Sequence, residues 1–176
     1  MKQKIKKILL GFLILISTNL KAQQKIVDDS SAVKSIDGIV KEVLKIISGE
    51  KGKKRNWDDF RNLFLPTVHF IVLNNNDSIP RPIDTASLEE FIHSMDDEYY
   101  NNGYLEYEIS KIVNEYNGIA NVFQTFYGKD SENKEERGIN SYQLVYFNNR
   151  WWIADLLWTG DNNGVKVPKK YLKNSN

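Results

Sequence analysis

The sequence contains no cysteine, two histidines and four prolines, and its charge is nearly balanced, with 24 Lys and Arg against 23 Asp and Glu in 176 residues. Each shortage removes a class of function. Without cysteine there is no disulfide framework, no thiolate metal site, no thiol nucleophile and no lipid-anchored export signal, which needs a Cys at its cut. His69 and His93 lie far apart and make no ligand cluster, so no metal site is expected. There is no Gly-x-Ser-x-Gly, and the basic stretch Gly49–Arg55 lacks the spacing of a phosphate-binding loop, so no nucleophile elbow and no cofactor is expected. The longest apolar run, Ile8–Ile16 broken by Gly11, is far short of the roughly 20 residues that span a bilayer.

What is present begins with an address. Lys2, Lys4, Lys6 and Lys7 precede that apolar run, Ser17, Thr18 and Asn19 end it, and Ala22-Gln23 offers a cleavage point. This is the pattern of a secretory signal peptide over residues 1–22, and it predicts export to the periplasm or the cell exterior with no membrane association after cleavage. Its removal takes five lysines, lowering Lys and Arg from 24 to 19 against 23 acids and moving the net charge from +1 to −4. A mildly acidic protein is not built to bind nucleic acid.

Residues 23–31 read as a polar lead-in. Ile36, Ile39, Val40, Val43, Leu44 and Ile47 then recur at three- and four-residue steps, predicting a helix capped by Ser30 or Ser31 and ended by a left-handed Gly49. Lys51–Arg55 reads as a solvated loop. Asn56 caps a second, short helix with Trp57, Phe60, Leu63 and Phe64 on its apolar side and Pro66 as its stop, and Thr67–Leu73 reads as a strand. Asn74–Ser78 is a turn, and Pro80 and Pro82 make the next piece an edge or a loop. Ser87-Leu88-Glu89-Glu90 is a capping box that opens a third helix, with Leu88, Phe91, Ile92, Met95 and Tyr99 on its buried face and Asn102-Gly103 at its end. Tyr104–Tyr116 and Ile119–Gly128 flank Asn117-Gly118, a strong hairpin signal, and Lys129–Arg137 is a charged tip.

The last hairpin, Gly138–Trp158, turns at Asn148-Asn149. Strict alternation from that turn sets Phe147 against Arg150 and Tyr142 against Asp155. One face then carries Tyr142, Leu144, Trp151, Ile153 and Asp155, with Asn140 beside them. The other carries Gln143, Val145, Trp152, Leu156 and Trp158. Both faces are largely apolar, so both need cover. Helices supply one cover. A homodimer through Gln143, Trp152, Leu156 and Trp158 supplies the other, unless the polar tail at residues 160–176 folds back over that face.

The order helix, short helix with WDDFRNLFLP, strand, helix, then four strands closing in RWWIADLLW resembles the nuclear-transport-factor-two-like (NTF2-like) superfamily over residues 32–159. The resemblance implies an α+β cone, a strongly curved antiparallel sheet wrapped on about three helices with a pocket between them, and frequent dimers through the outer sheet face. It also implies that the Trp-x-Ile face turns inward, placing Trp151, Ile153 and Asp155 inside and Trp152 and Trp158 at the dimer face.

On this footing the pocket is expected to bind a small apolar or amphipathic ligand through Trp57, Phe60, Tyr99, Asn140, Tyr142, Trp151 and Asp155. Asp155 opposite Tyr142 is the nearest echo of the acid–tyrosine chemistry of ketosteroid isomerase, which the resemblance brings to mind. An isomerase, dehydratase or cyclase with Asp155 or His69 as general base is the alternative, and a protein-interaction module using the outer face is another.

Overall fold

In the computed structural model, residues 31–73, 83–162 and 164–173 are described. The expected signal peptide at 1–22, residues 23–30 of the lead-in, the expected turn at 74–78 and the edge or loop expected at Pro80 and Pro82 lie outside them.

The apolar stripe forms helix α1, Ile36–Ile47, and seven of its side chains are buried. At about 1.5–3 kcal/mol for each large one, this face alone anchors the helix to the sheet. Its cap is Ser35, whose hydroxyl accepts from the Gly38 amide at 3.0 Å, while Ser31 opens a separate 3-10 turn, Ser31–Lys34. Gly49 does not close the helix in a left-handed turn. It pairs with Tyr104 through two backbone bonds, and the Arg55 guanidinium fills the space a Cβ would need. Arg55 therefore leaves the solvated loop: it is buried and donates to the carbonyls of Ile47, Gly49 and Lys53.

Asn56 caps helix α2, Trp57–Arg61, as expected. The helix ends five residues before Pro66, and strand β1, Phe64–Leu73, already contains that proline. Pro66 is tolerated because the pairing of β1 is interrupted between Phe64 and His69, where no ladder donor is required. Strand β2, Ile83–Ser87, leads into helix α3, Leu88–Asn102, through the capping box, and Gly103 at φ 77° ends α3.

Strands β3 (Tyr104–Tyr116), β4 (Ile119–Asp130), β5 (Glu135–Phe147) and β6 (Arg150–Gly160) form the meander. Both two-residue turns have positive φ at both positions, 46° and 82° at Asn117-Gly118 and 51° and 61° at Asn148-Asn149, the twist a tight hairpin needs. The charged tip is shorter than expected, because β4 and β5 run on into it. The sheet order is β2-β1-β6-β5-β4-β3. It is mixed rather than wholly antiparallel, since β1 runs parallel to β6.

Two β-bulges decide what this sheet faces. Phe147 opposes Arg150 as alternation requires, but Leu144 opposes Ile153 and Gln143 opposes Asp155, leaving Ala154 extra. Likewise Glu108 opposes Phe126 and Ser110 opposes Thr125, leaving Ile109 extra in β3. A bulge bends its strand and reverses the faces beyond it. Leu156 and Trp158 therefore turn inward and Asp155 outward, contrary to strict alternation from the turn.

The concave face shares one buried core with α1, to which Val122, Tyr142, Leu144 and Ile153 belong. On the convex face the tail returns: the Tyr171 carbonyl accepts from the hydroxyls of Ser110 and Thr125, and its ring lies 5.1 Å from Phe123. Ser110 and Thr125 are buried beneath it. Beyond β4 the convex face shows Ser141, Gln143 and Asp155 and is more polar than expected.

Candidate functional site

Between α3, the end of α1 and the concave sheet lies a cavity of about 660 Å³, within the size range of small-molecule sites. One wall is aromatic. Phe70 and Phe91 stack at 4.5 Å and 9°, and Trp158 meets both edge-on at 6.5 and 6.2 Å. Opposite them Tyr99 and Tyr104 stack at 5.1 Å and 8°.

The floor is polar and closed upon itself. The Tyr104 hydroxyl donates to Glu106 Oε2 at 2.7 Å, and the Asn140 amide donates to Glu106 Oε1 at 2.8 Å. Asn140 also donates to Gln124 Oε1 at 3.2 Å, and Tyr142 donates to the same oxygen at 3.3 Å. Gln124 donates onward to Glu108 at 2.8 Å, which takes Lys111 at 2.7 Å, and Lys111 reaches Asp37 of α1 at 3.2 Å. A polar rail thus runs from α1 through the sheet to the cavity, with no buried side-chain donor or acceptor left without a partner among the described residues. Gly128 faces Glu106 across the ladder, and a Cβ there would crowd the Tyr104 hydroxyl at 3.0 Å.

Burial pushes the Glu106 carboxyl up from its ordinary value, against the pull of its bonds from Tyr104 and Asn140, and Glu136 adds to the rise. Glu136 is raised by burial and then by the charges of Asp161 and Asp130. The Tyr142 hydroxyl is pushed well up by burial and by Glu106 and Glu108. Glu106 is thus a buried acid with enhanced affinity for a proton, held by two donors on the floor of an aromatic cavity. It is placed to take a proton or to oppose a positive charge. Among the described residues no three His, Asp or Glu come together as a metal site.

No protein-family profile matches the sequence, and no curated protein does. Solved structures do. An NTF2-like protein of unknown function from Pseudomonas putida superimposes with a TM-score of 0.55 at 6% identity, covering 74% of this chain and 87% of that one. The chain has the NTF2-like fold. A cystatin-like domain of unknown function from Nostoc punctiforme gives 0.54 at 14% identity over 81% and 82% of the two chains. A type 2 hexachlorocyclohexane dehydrochlorinase, LinA, gives 0.53 at 8% identity over 70% and 80%.

Within this NTF2-like cavity four of the residues expected to line it do so: Phe60, Tyr99, Asn140 and Tyr142. Three do not. Trp57 stands behind Tyr99, stacked at 6.2 Å, with its indole nitrogen donating to Asp96 at 2.7 Å. Trp151 is buried in the main core against Tyr146, so the inward turn of the Trp-x-Ile face delivers it and Ile153 to packing rather than to the cavity. Asp155 is on the convex face, 42% exposed, with Oδ1 3.5 Å from His69 Nδ1, and His69 is 69% exposed. The two candidate bases are therefore neighbours, but on the wrong side of the sheet. Of the expected dimer face, Leu156 and Trp158 line the cavity instead, and Trp152 lies under the Arg150 guanidinium at 3.9 Å. Gln143 remains on the convex side, exposed.

Sequence reasoning missed Tyr104, Glu106, Gln124 and Glu136. Counted strictly from Asn117-Gly118, Glu106 falls on the convex face. The bulge at Ile109 reverses it, and the one local hint is the glycine, Gly128, across from it.

Proposed function

We propose that the protein is an exported binding protein that holds a small apolar or amphipathic molecule in its NTF2-like cavity. The observation that carries this reading is the aromatic-walled cavity of about 660 Å³ with the hydrogen-bonded acid Glu106 on its floor. Aromatic walls favour apolar bodies, and a few converging polar groups fix orientation. Export rests on the signal pattern at residues 1–22. No helix among the described residues is long and apolar enough to cross a membrane.

Titration with Nile red, a neutral polarity-sensitive dye, tests the cavity. One saturable site with blue-shifted emission is expected, lost in Ala86→Phe, which pushes a ring into the cavity from β2. A linear, unsaturable response removes the reading.

A second reading is an isomerase-type enzyme in which Glu106 accepts a proton from a bound carbon acid. It draws on the raised proton affinity of Glu106 and on its position against Tyr104. Asp155 and His69 no longer support it from within the cavity. Deuterium exchange into a bound ketone, abolished by Glu106→Gln, distinguishes this enzyme from a simple carrier. Self-association through the convex face, or docking of another protein there, is retained as a proposal on Gln143 and the exposed Leu157. Light scattering across a concentration series distinguishes a dimer from a monomer.

A further inference from the structure

Among its described residues the cavity wall carries charge of one sign. Besides Glu106 it is lined by Asp84 of β2, Glu98 of α3, Asp130 at the end of β4 and Glu136 near the start of β5. None of its described lining residues is Lys, Arg or His. Lys134 pairs with Glu132 at 2.5 Å and also feels the charge of Asp130, and Lys166 pairs with Asp161 at 3.3 Å, but neither lines the cavity. Arg55 lies over the Tyr99 ring at 5.7 Å, but it directs its donors to backbone carbonyls and does not line the cavity. Glu98, Asp130 and Glu136 each take hydrogen bonds from neutral donors. Glu98 accepts from Asn102, Asp130 from the amides of Glu132 and Lys134, and Glu136 faces Asn162 at 3.3 Å.

Gathering like charges at a partly desolvated mouth is unfavourable: burial raises both Glu106 and Glu136, the charge of Glu136 adds to the rise of Glu106, and those of Asp161 and Asp130 add to that of Glu136. A cation placed among them relieves both the repulsion and the loss of water. The aromatic wall adds a second, independent preference, because ring faces are electronegative and attract cations, most strongly where water is excluded. Tyr99 already accepts one such contact from Arg55.

Resting on the reading of the cavity as a ligand site, we propose that its ligand is an organic cation, an amine or quaternary ammonium on an apolar, ring-sized body. The body takes the Phe70, Phe91 and Trp158 wall, and the cationic end faces Glu106 and Glu136.

Three probes share one body and differ in charge: 2-(2-naphthyl)ethylamine, 2-(2-naphthyl)ethanol and 2-naphthylacetate. Each is used to displace Nile red from the purified protein at pH 7.5. The amine is expected to displace the dye at a concentration about tenfold or more below that of the alcohol, with the carboxylate weakest. Glu136→Gln is expected to cut that advantage severalfold while leaving the alcohol unchanged. Glu98→Gln, on the exposed surface of α3, serves the same purpose if the β5 variant folds poorly. Equal displacement by amine and alcohol, tightest binding of the carboxylate, or an advantage untouched by both variants overturns the cationic ligand and leaves the cavity reading standing, since the dye still binds. Failure of Nile red itself to bind overturns both.

Discussion

Gln124 is the hub of the cavity floor, and its replacement tests whether the rail is one network. It is fully buried and makes three side-chain bonds, donating to Glu108 and accepting from Asn140 and Tyr142. Gln124→Met keeps the length of the side chain and removes all three. Glu108 retains Lys111, and Asn140 retains Glu106. The Tyr142 hydroxyl, with no exposure to water, loses the acceptor of its donated bond. One stranded buried hydroxyl costs about 1–3 kcal/mol, and each of the other two lost bonds about 0.5–1.5, so the variant is expected to lose roughly 2–6 kcal/mol. Tyr142→Phe in the same background removes the stranded group and is expected to restore about 1–2 kcal/mol, although alone it destabilises. Urea unfolding of the four proteins of this cycle measures the coupling. A loss below about 0.5 kcal/mol in Gln124→Met, or strict additivity with Tyr142→Phe, refutes a closed hydrogen-bonded floor.

Three further outcomes are expected. Folding raises the proton affinity of Glu106, so its stabilising contribution is complete below the ordinary value of 4.5 and is lost as pH rises through the folded-state value. Glu106→Gln is therefore expected to gain on the wild type as the pH rises above 4.5 and to level off once the folded-state carboxyl has ionised, and a parallel pair of stability–pH curves contradicts the burial. Asp155→Asn is expected to cost less than about 1 kcal/mol, because the Asp155–His69 contact is solvent-exposed on both sides; a larger loss by urea unfolding means the pair is sheltered. Thr125→Val removes one of the two hydroxyls holding the Tyr171 carbonyl and is expected to cost about 1 kcal/mol and to speed amide exchange at residues 169–173. Unchanged exchange there contradicts the tail contact.

Most of the element order was legible because it is local. The α1 stripe, the Asn56 cap, the Ser87 capping box and both Asn-containing turns each depend on a few adjacent residues. The NTF2-like resemblance followed from that order. The cavity floor was not legible, because its faces depend on two single-residue insertions. Ala154 and Ile109 are small and β-branched apolar residues in ordinary strand sequence, and neither is a glycine or a proline. Alternation counted from the turns holds up to each bulge and inverts after it, which placed Asp155 inside and left Glu106 unnoticed. The same inversion put Leu156 and Trp158 on a presumed dimer face when they wall the cavity. Ser35 was passed over for a similar reason: the 3-10 turn before it displaces the helix start from the first available serine.

Nile red titration of the wild type beside Ala86→Phe and Asp155→Asn tests the cavity most directly. The account predicts one saturable site of equal affinity in the wild type and Asp155→Asn, and no saturable binding in Ala86→Phe. Binding that survives the ring at position 86, or that disappears with the carboxylate at 155, contradicts it.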